Sequence, residues 1–190
     1  MSLPEIPEAT LARVALLDVA HRSIESGVRT GEPLTVDPVD FPPELREQRA
    51  TFVTLRRAGE LRGCVGALVA SRPLVADVAH SAFAAAFRDA RFPALDAAEF
   101  PDLEIHIAVL SALEPLPVRD EADLLDQIRP GVDGLVLRDG AHQGTFLPAV
   151  WKSIPDPENF LRELKHKAGL PLDSWSERWE VLRYTVESIP

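Results

Sequence analysis

The stretch TFVTLRRAGELRGCVGALV, residues 51–69, decides the fold class. Thr51 to Leu55 is rich in β-branched and aromatic side chains, and Gly59-Glu60 supplies a turn before the apolar run from Leu61 to Val69. Two such runs around a glycine turn predict a β-hairpin, because branched side chains fit a pleated surface and glycine fits a tight reversal. Alternation along the second strand places Arg62, Cys64 and Gly66 on one face and Leu61, Gly63 and Val65 on the other. Pro73 suits the first turn of a helix, and Leu74, Val78, Phe83 and Phe87 carry its apolar pattern to about Ala90. The strand that holds the chain's single cysteine therefore leads directly into a helix.

Outward from this hairpin the elements mix. Residues 8–26 place Leu11, Val14, Leu17 and Ile24 at helical spacing, with Gly27 positioned to stop the helix. From Gly31 to Gln48, Pro33, Pro38, Pro42 and Pro43 remove backbone donors and predict an irregular loop. Leu103, Ile105, Ile107 and Val109 alternate with Glu104, His106 and Ala108, the pattern of a half-buried strand with His106 off the aliphatic row. A short helix is expected over Glu121 to Ile128. A second hairpin follows, from Gly134-Leu-Val-Leu137 through Asp139-Gly140 to Thr145 and Val150. Asp156 is placed to cap a helix that starts at Pro157 and ends at Gly169, and Trp179 to Glu187 reads as a final strand. Without regular strand–helix–strand alternation, an α+β fold of antiparallel hairpins with packed helices fits better than a doubly wound sheet.

Composition narrows the function. At 190 residues and 46% hydrophobic content the chain can bury a sizeable core. One cysteine forms no intrachain disulfide, and the N-terminus lacks a basic segment followed by an apolar run, so a cytoplasmic protein outside the membrane is expected. The net charge of -10 disfavours nucleic acid as a partner. Against that acidic background, residues 46–72 hold Arg46, Arg49, Arg56, Arg57, Arg62 and Arg72 with only Glu47 and Glu60. Cys64 lies inside this basic island.

Cys64 is the candidate nucleophile. Arg62 on the same strand face would favour its thiolate, and Gly63 and Gly66 would let a ligand approach the backbone. The competing reading is a buried small hydrophobe beside a strand bulge. A base is sought among the histidines, of which His106, on the polar row of a strand, and His142, in a hairpin turn, are better placed to line a cleft than His21, His80 and His166 on helices. In Phe87-Arg-Asp-Ala-Arg-Phe-Pro93, Arg88 or Arg91 would add to an anion-binding surface. Trp175 and Trp179 read as packing. No spacing in the sequence indicates a metal site, a phosphate loop or a serine-hydrolase elbow, and no cofactor is indicated.

Leu61-Arg62-Gly63-Cys64-Val65-Gly66, Asp89-Ala-Arg91-Phe92-Pro93, Val109-Leu110-Ser111, Leu147-Pro148, Phe160-Leu161 and Lys167-Ala-Gly169-Leu170 together resemble the AMMECR family, whose prokaryotic members are called AmmeMemoRadiSam system protein A. The resemblance implies one AMMECR-type domain over residues 10–187 after a tail of residues 1–9, with two unequal lobes around a cleft and the cysteine motif near it. It also implies a Memo-like protein and a radical S-adenosylmethionine (SAM) protein as candidate partners. Three positions depart from the family's pattern: His106 stands where an acid is common, Ala149 where glutamine is, and Lys165 where a second cysteine is. A mechanism that needs two thiols is not expected here.

Two functions follow as expectations. The first is a cysteine-centred enzyme or enzyme component that binds an anionic small molecule through Arg62, Gly63, Gly66 and Arg91, with Cys64, His106 and His142 as its chemical groups. The second is a protein–protein interaction module in which the cysteine is structural. Nucleic-acid binding through the arginine-rich hairpin ranks last.

Overall fold

The computed structural model describes residues 8–173 and 175–190 and divides the chain into two compact units. The first comprises the chain up to Leu110 together with Glu187–Pro190, and the second runs from Ser111 to Val186. Helices and antiparallel strands mix in both, so the fold is α+β.

The first unit opens with helix α1 (Glu8–Thr30). It runs straight through Gly27, the residue expected to end it. Gly27 serves packing: a β-carbon would lie 2.2 Å from Phe87 Cε2 and 2.9 Å from the Phe83 ring, so glycine leaves room for two rings of the next long helix. The helix ends instead at Gly31, whose φ of +77° suits glycine. The proline-rich segment beyond it is not wholly irregular. It contains a single 3-10 turn (Pro38–Asp40) capped by Asp37 and a one-turn helix, α2 (Pro43–Arg46).

Strands β1 (Thr51–Arg57) and β2 (Glu60–Gly66) form the expected hairpin. The reversal falls one residue earlier than the sequence suggests, at Ala58-Gly59, both with positive φ. Helix α3 (Leu74–Phe87) follows, and β3 (Leu103–Leu110) pairs with β1. The last strand, β8 (Val186–Ile189), completes a sheet of order β2-β1-β3-β8. Val53, Leu55, Ile107, Val109 and Ile189 bury one sheet face against α3, which also packs on α1 through Val19, Ala20 and Ile24. Ala79, Ala82, Ala85 and Ala86 keep α3 slender enough to lie close to the strands. Close approach explains Gly63 too, since a β-carbon there would sit 2.1 Å from the Ala85 carbonyl oxygen.

The second unit holds β4 (Glu114–Pro115), α4 (Glu121–Gln127), β5 (Gly134–Asp139), β6 (His142–Phe146), α5 (Pro157–Ala168) and β7 (Glu180–Tyr184), with sheet order β4-β7-β5-β6. Helix α5 begins and ends where its signals place it: Asp156 accepts from the Asn159 amide, Pro157 is the first residue, and Gly169 closes it at φ +71°. Its Phe160, Leu161 and Leu164 bury against Leu135, Leu137 and Val181, and Trp151 stacks on Phe160 with ring centroids 3.7 Å apart.

Two further expectations are corrected. The return strand of the second hairpin is His142–Phe146, and Pro148–Lys152 forms a 3-10 turn, because Pro148 cannot donate to a ladder. The expected single strand over 179–187 is two strands in different sheets, interrupted at Thr185, whose backbone is held by Ser111. Among the described residues no helix is long and apolar enough to cross a membrane.

Candidate functional site

The position of Cys64 is set by a bulge. Leu55 lies opposite Gly63 and Arg56 opposite Leu61, so Arg62 has no partner in β1 and strict alternation fails there. Beyond the bulge Cys64 faces Thr54, and Thr54 faces His106 on β3. The three side chains form a row across three neighbouring strands, on the sheet face opposite the buried Val53 and Leu55. Leu61, opposite Arg56, falls on this face as well, contrary to the alternation read from the sequence.

The half-buried sulfur accepts a hydrogen bond from Thr54 Oγ1 at 3.3 Å. The backbone of Cys64 is fixed by the segment after α3. Its amide donates to Asp89 Oδ2 at 2.9 Å, and its carbonyl accepts from Arg91 Nη2 at 3.2 Å. Asp89 and Arg91 thus satisfy the free edge of β2 as a neighbouring strand would. They also hold each other, Arg91 Nε and Nη2 donating to the two Asp89 oxygens at 2.9 and 2.7 Å.

These contacts set the charges. Hydrogen bonds from Arg91 hold the Asp89 carboxyl well below the usual carboxylate range, helped by the Cys64 amide and opposed by burial. Arg91 is raised, first by its hydrogen bond to Asp89, with smaller contributions from the charge of Asp89 and from Cys64, which sets the guanidinium beside the cysteine. Asp89 accepts from two backbone amides and two guanidinium nitrogens, so it is a clamp and not a free proton acceptor.

Arg62, expected beside the sulfur, is used elsewhere. Its Nε and Nη2 donate to Glu99 at 2.8 and 2.9 Å, and Nη2 also reaches the Pro93 carbonyl. Those hydrogen bonds, with the Asp96 amide, bring Glu99 down to about 2 despite partial burial. The cation at Cys64 is Arg91, and the Phe92 ring lies within 6 Å of both guanidinium groups. A recess of about 650 Å³ adjoins this ion-pair ladder near Arg57, Leu61, Arg62, Glu99 and Asp102 and does not include the sulfur. Gly66 has a packing explanation like that of Gly63, since its β-carbon would fall 2.1 Å from the Thr51 carbonyl oxygen.

His106 shares the Cys64 face but stands two strands away, roughly 10 Å at ordinary strand spacing, with Thr54 between; its Nε2 lies 4.0 Å from Glu104 Oε2. His142 starts β6 in the second unit, exposed, near Gly169. Arg88 lies over the Phe83 ring. Trp179 is buried in the second core with Trp175 against it. Sequence reading missed Thr54, Asp89 and Glu99. For Asp89 a signal was present, an acid two residues before Arg91 at a helix end; for Thr54 the bulge hid the register.

An α+β chain with two four-stranded antiparallel sheets, and a cysteine clamped by an Asp–Arg pair at the edge of one of them, defines the class. The chain belongs to the AMMECR1 family, whose model matches residues 17–189. It is 39% identical over 163 residues to a protein of Methanothermobacter thermautotrophicus, covering 83% of this chain and 82% of that one. A Pyrococcus furiosus protein is 37% identical over 183 residues, covering 90% and 84%. The crystal structure of an uncharacterised protein from Pyrococcus horikoshii superposes with a TM-score of 0.81 at 35% identity, covering 91% of this chain and 88% of that one.

Proposed function

We propose that this protein is a cytoplasmic, thiol-centred enzyme or enzyme component, in which Cys64 binds or carries an anionic small molecule. The family resemblance suggests a radical-SAM-associated pathway, with a Memo-like protein and a radical SAM protein as partners. The observation that carries the reading is the surroundings of the sulfur: half-buried, hydrogen-bonded by Thr54 and adjoined by Arg91. A partly open position with a hydroxyl donor on the sulfur and a guanidinium nearby is one in which protein thiols react. Asp89 is saturated, and no hydrogen bond joins Cys64 to a histidine among the described residues, so neither group is assigned as its base. The test is the rate of Cys64 alkylation by iodoacetamide at neutral pH, followed by mass spectrometry. A rate several-fold above that of glutathione is expected, and a rate no higher overturns the reading.

A second reading has one observation in its favour. Gly63 and Gly66, the residues expected to admit a ligand, are both required by close packing. On that reading the motif builds a rigid edge for a partner protein, and Cys64→Ala would leave binding to the Memo-like or radical SAM protein intact.

A further inference from the structure

We propose that the fold contains a hinge: Ser111 and Thr185 form the pin of a two-stranded ribbon about which the two compact units turn as bodies.

The chain passes from one unit to the other twice, at Leu110–Ser111 and at Val186–Glu187. Strand β3 leads into β4 at the first crossing, and β7 leads into β8 at the second. Because β3 neighbours β8 in one sheet and β4 pairs with β7 in the other, the crossings lie side by side as one two-stranded ribbon. Each unit closes its own hydrophobic core. Hinge motions between such bodies are absorbed by a few residues at the ends of elements, which is where both crossings fall.

The hold of the first unit ends within a single peptide group. The Leu110 amide donates to the Ala50 carbonyl at 2.9 Å, and the Leu110 carbonyl accepts from Arg49 Nε at 2.9 Å, so the first unit fixes this residue at both ends. The next amide, that of Ser111, donates to the Thr185 carbonyl at 2.9 Å within the second unit. The torsions that flank this peptide group, ψ of Leu110 and φ of Ser111, separate backbone held by one unit from backbone held by the other.

A regular hydrogen-bonded antiparallel pair exchanges two backbone bonds. Here the Thr185 amide returns its bond to Ser111 Oγ at 3.0 Å, and that hydroxyl donates onward to the Ala112 carbonyl at 3.0 Å. A hydroxyl turns about its own χ1, so this bond can follow a backbone rotation that a fixed carbonyl would not. Further along, the ladder is regular again, with Glu114 opposite Arg183 and the Leu116 amide donating to the Val181 carbonyl at 2.8 Å. Splaying the two strands in their own plane would break those bonds, whereas bending or twisting at Ser111 leaves them intact. The motion is therefore a bend and twist of the ribbon.

Residual dipolar couplings of the backbone amides in the intact protein test this. Couplings from the two units are fitted separately, and their alignment magnitudes are expected to differ, as they do when two bodies reorient relative to one another. Ser111→Ala should widen that difference and speed hydrogen exchange at the Thr185 amide, whereas Ser111→Thr, which keeps the hydroxyl, should stay near native in both. The couplings of each unit should still fit its own structure in both variants, which separates a loosened hinge from a lost fold. One alignment tensor that accounts for both units of the native chain overturns the proposal, and so does a Ser111→Ala protein whose two alignments match the native ones.

Discussion

Asp89 Oδ2 holds the backbone amide of Cys64 at 2.9 Å, so the segment after α3 and the cysteine strand are joined through one carboxylate. The same carboxylate accepts from the Arg91 amide, Nε and Nη2. Asp89→Asn keeps the shape and replaces one acceptor oxygen with a donor facing donors. Because Arg91 is largely solvated, the uncompensated charge is not buried, and the loss should be about 2 kcal/mol, below the range for a fully buried pair. Hydrogen exchange at the Cys64 amide should accelerate correspondingly, and an unchanged exchange rate would refute the clamp.

Acid should loosen this edge in a defined window. Glu99 sits at about 2 in the folded chain against an ordinary 4.5, and Asp89 is also depressed, so both lower the free energy of the folded state when ionised. Their contribution is complete above about pH 4.5 and falls away as pH drops through the folded values, because protonation then removes the Arg62 and Arg91 pairs. For Glu99, partly shielded from solvent, this is about 2 kcal/mol after allowance for screening. Glu99→Gln should flatten the dependence of first-unit stability on pH between 4.5 and 2, read by hydrogen exchange.

What could be read from the chain follows the range of the interactions. The β1–β2 hairpin and helix α5 were legible because their determinants, a glycine turn and an Asp-Pro cap with a terminal Gly169, lie within the elements themselves. The identity of the cation at Cys64 was not. Arg62 is nearer in sequence, but Glu99 draws it away from 37 residues downstream while Arg91 arrives from 27 residues downstream, and neither pairing leaves a local pattern. The bulge at Arg62 likewise depends on how β2 docks against α3 and β1. The run from Trp179 to Glu187 reads as one strand because nothing in it shows that β7 and β8 pair in different sheets.

Two glycines of the hairpin should respond unequally to a methyl group. At Gly63 the new carbon would collide with the Ala85 carbonyl, a backbone atom that cannot move aside without shifting α3. Gly63→Ala should cost about 3 kcal/mol or more. At Gly59, φ is +79° and no atom lies within 4 Å, so Gly59→Ala meets only the left-handed backbone penalty, about 1 kcal/mol. Denaturation followed by far-ultraviolet circular dichroism ranks the two, and equal losses would show that α3 does not press on the strand.

Lys165 offers an asymmetric test in the second unit. Its side chain is fully buried, with Nζ donating to Glu121 Oε2 at 2.6 Å and to the Leu172 carbonyl at 3.1 Å, whereas Glu121 is 41% exposed. Removing the acid takes one acceptor from a buried amine, and removing the base leaves a carboxylate that water can solvate. Glu121→Gln should therefore destabilise more than Lys165→Met, which is of similar length, can fill the same space and should change stability by about 1 kcal/mol or less. All three tryptophans, Trp151, Trp175 and Trp179, belong to this unit, so their fluorescence during urea unfolding reports on it selectively. Equal destabilisation by the two variants would show that the pair acts by mutual attraction and not by the cost of burying the ammonium.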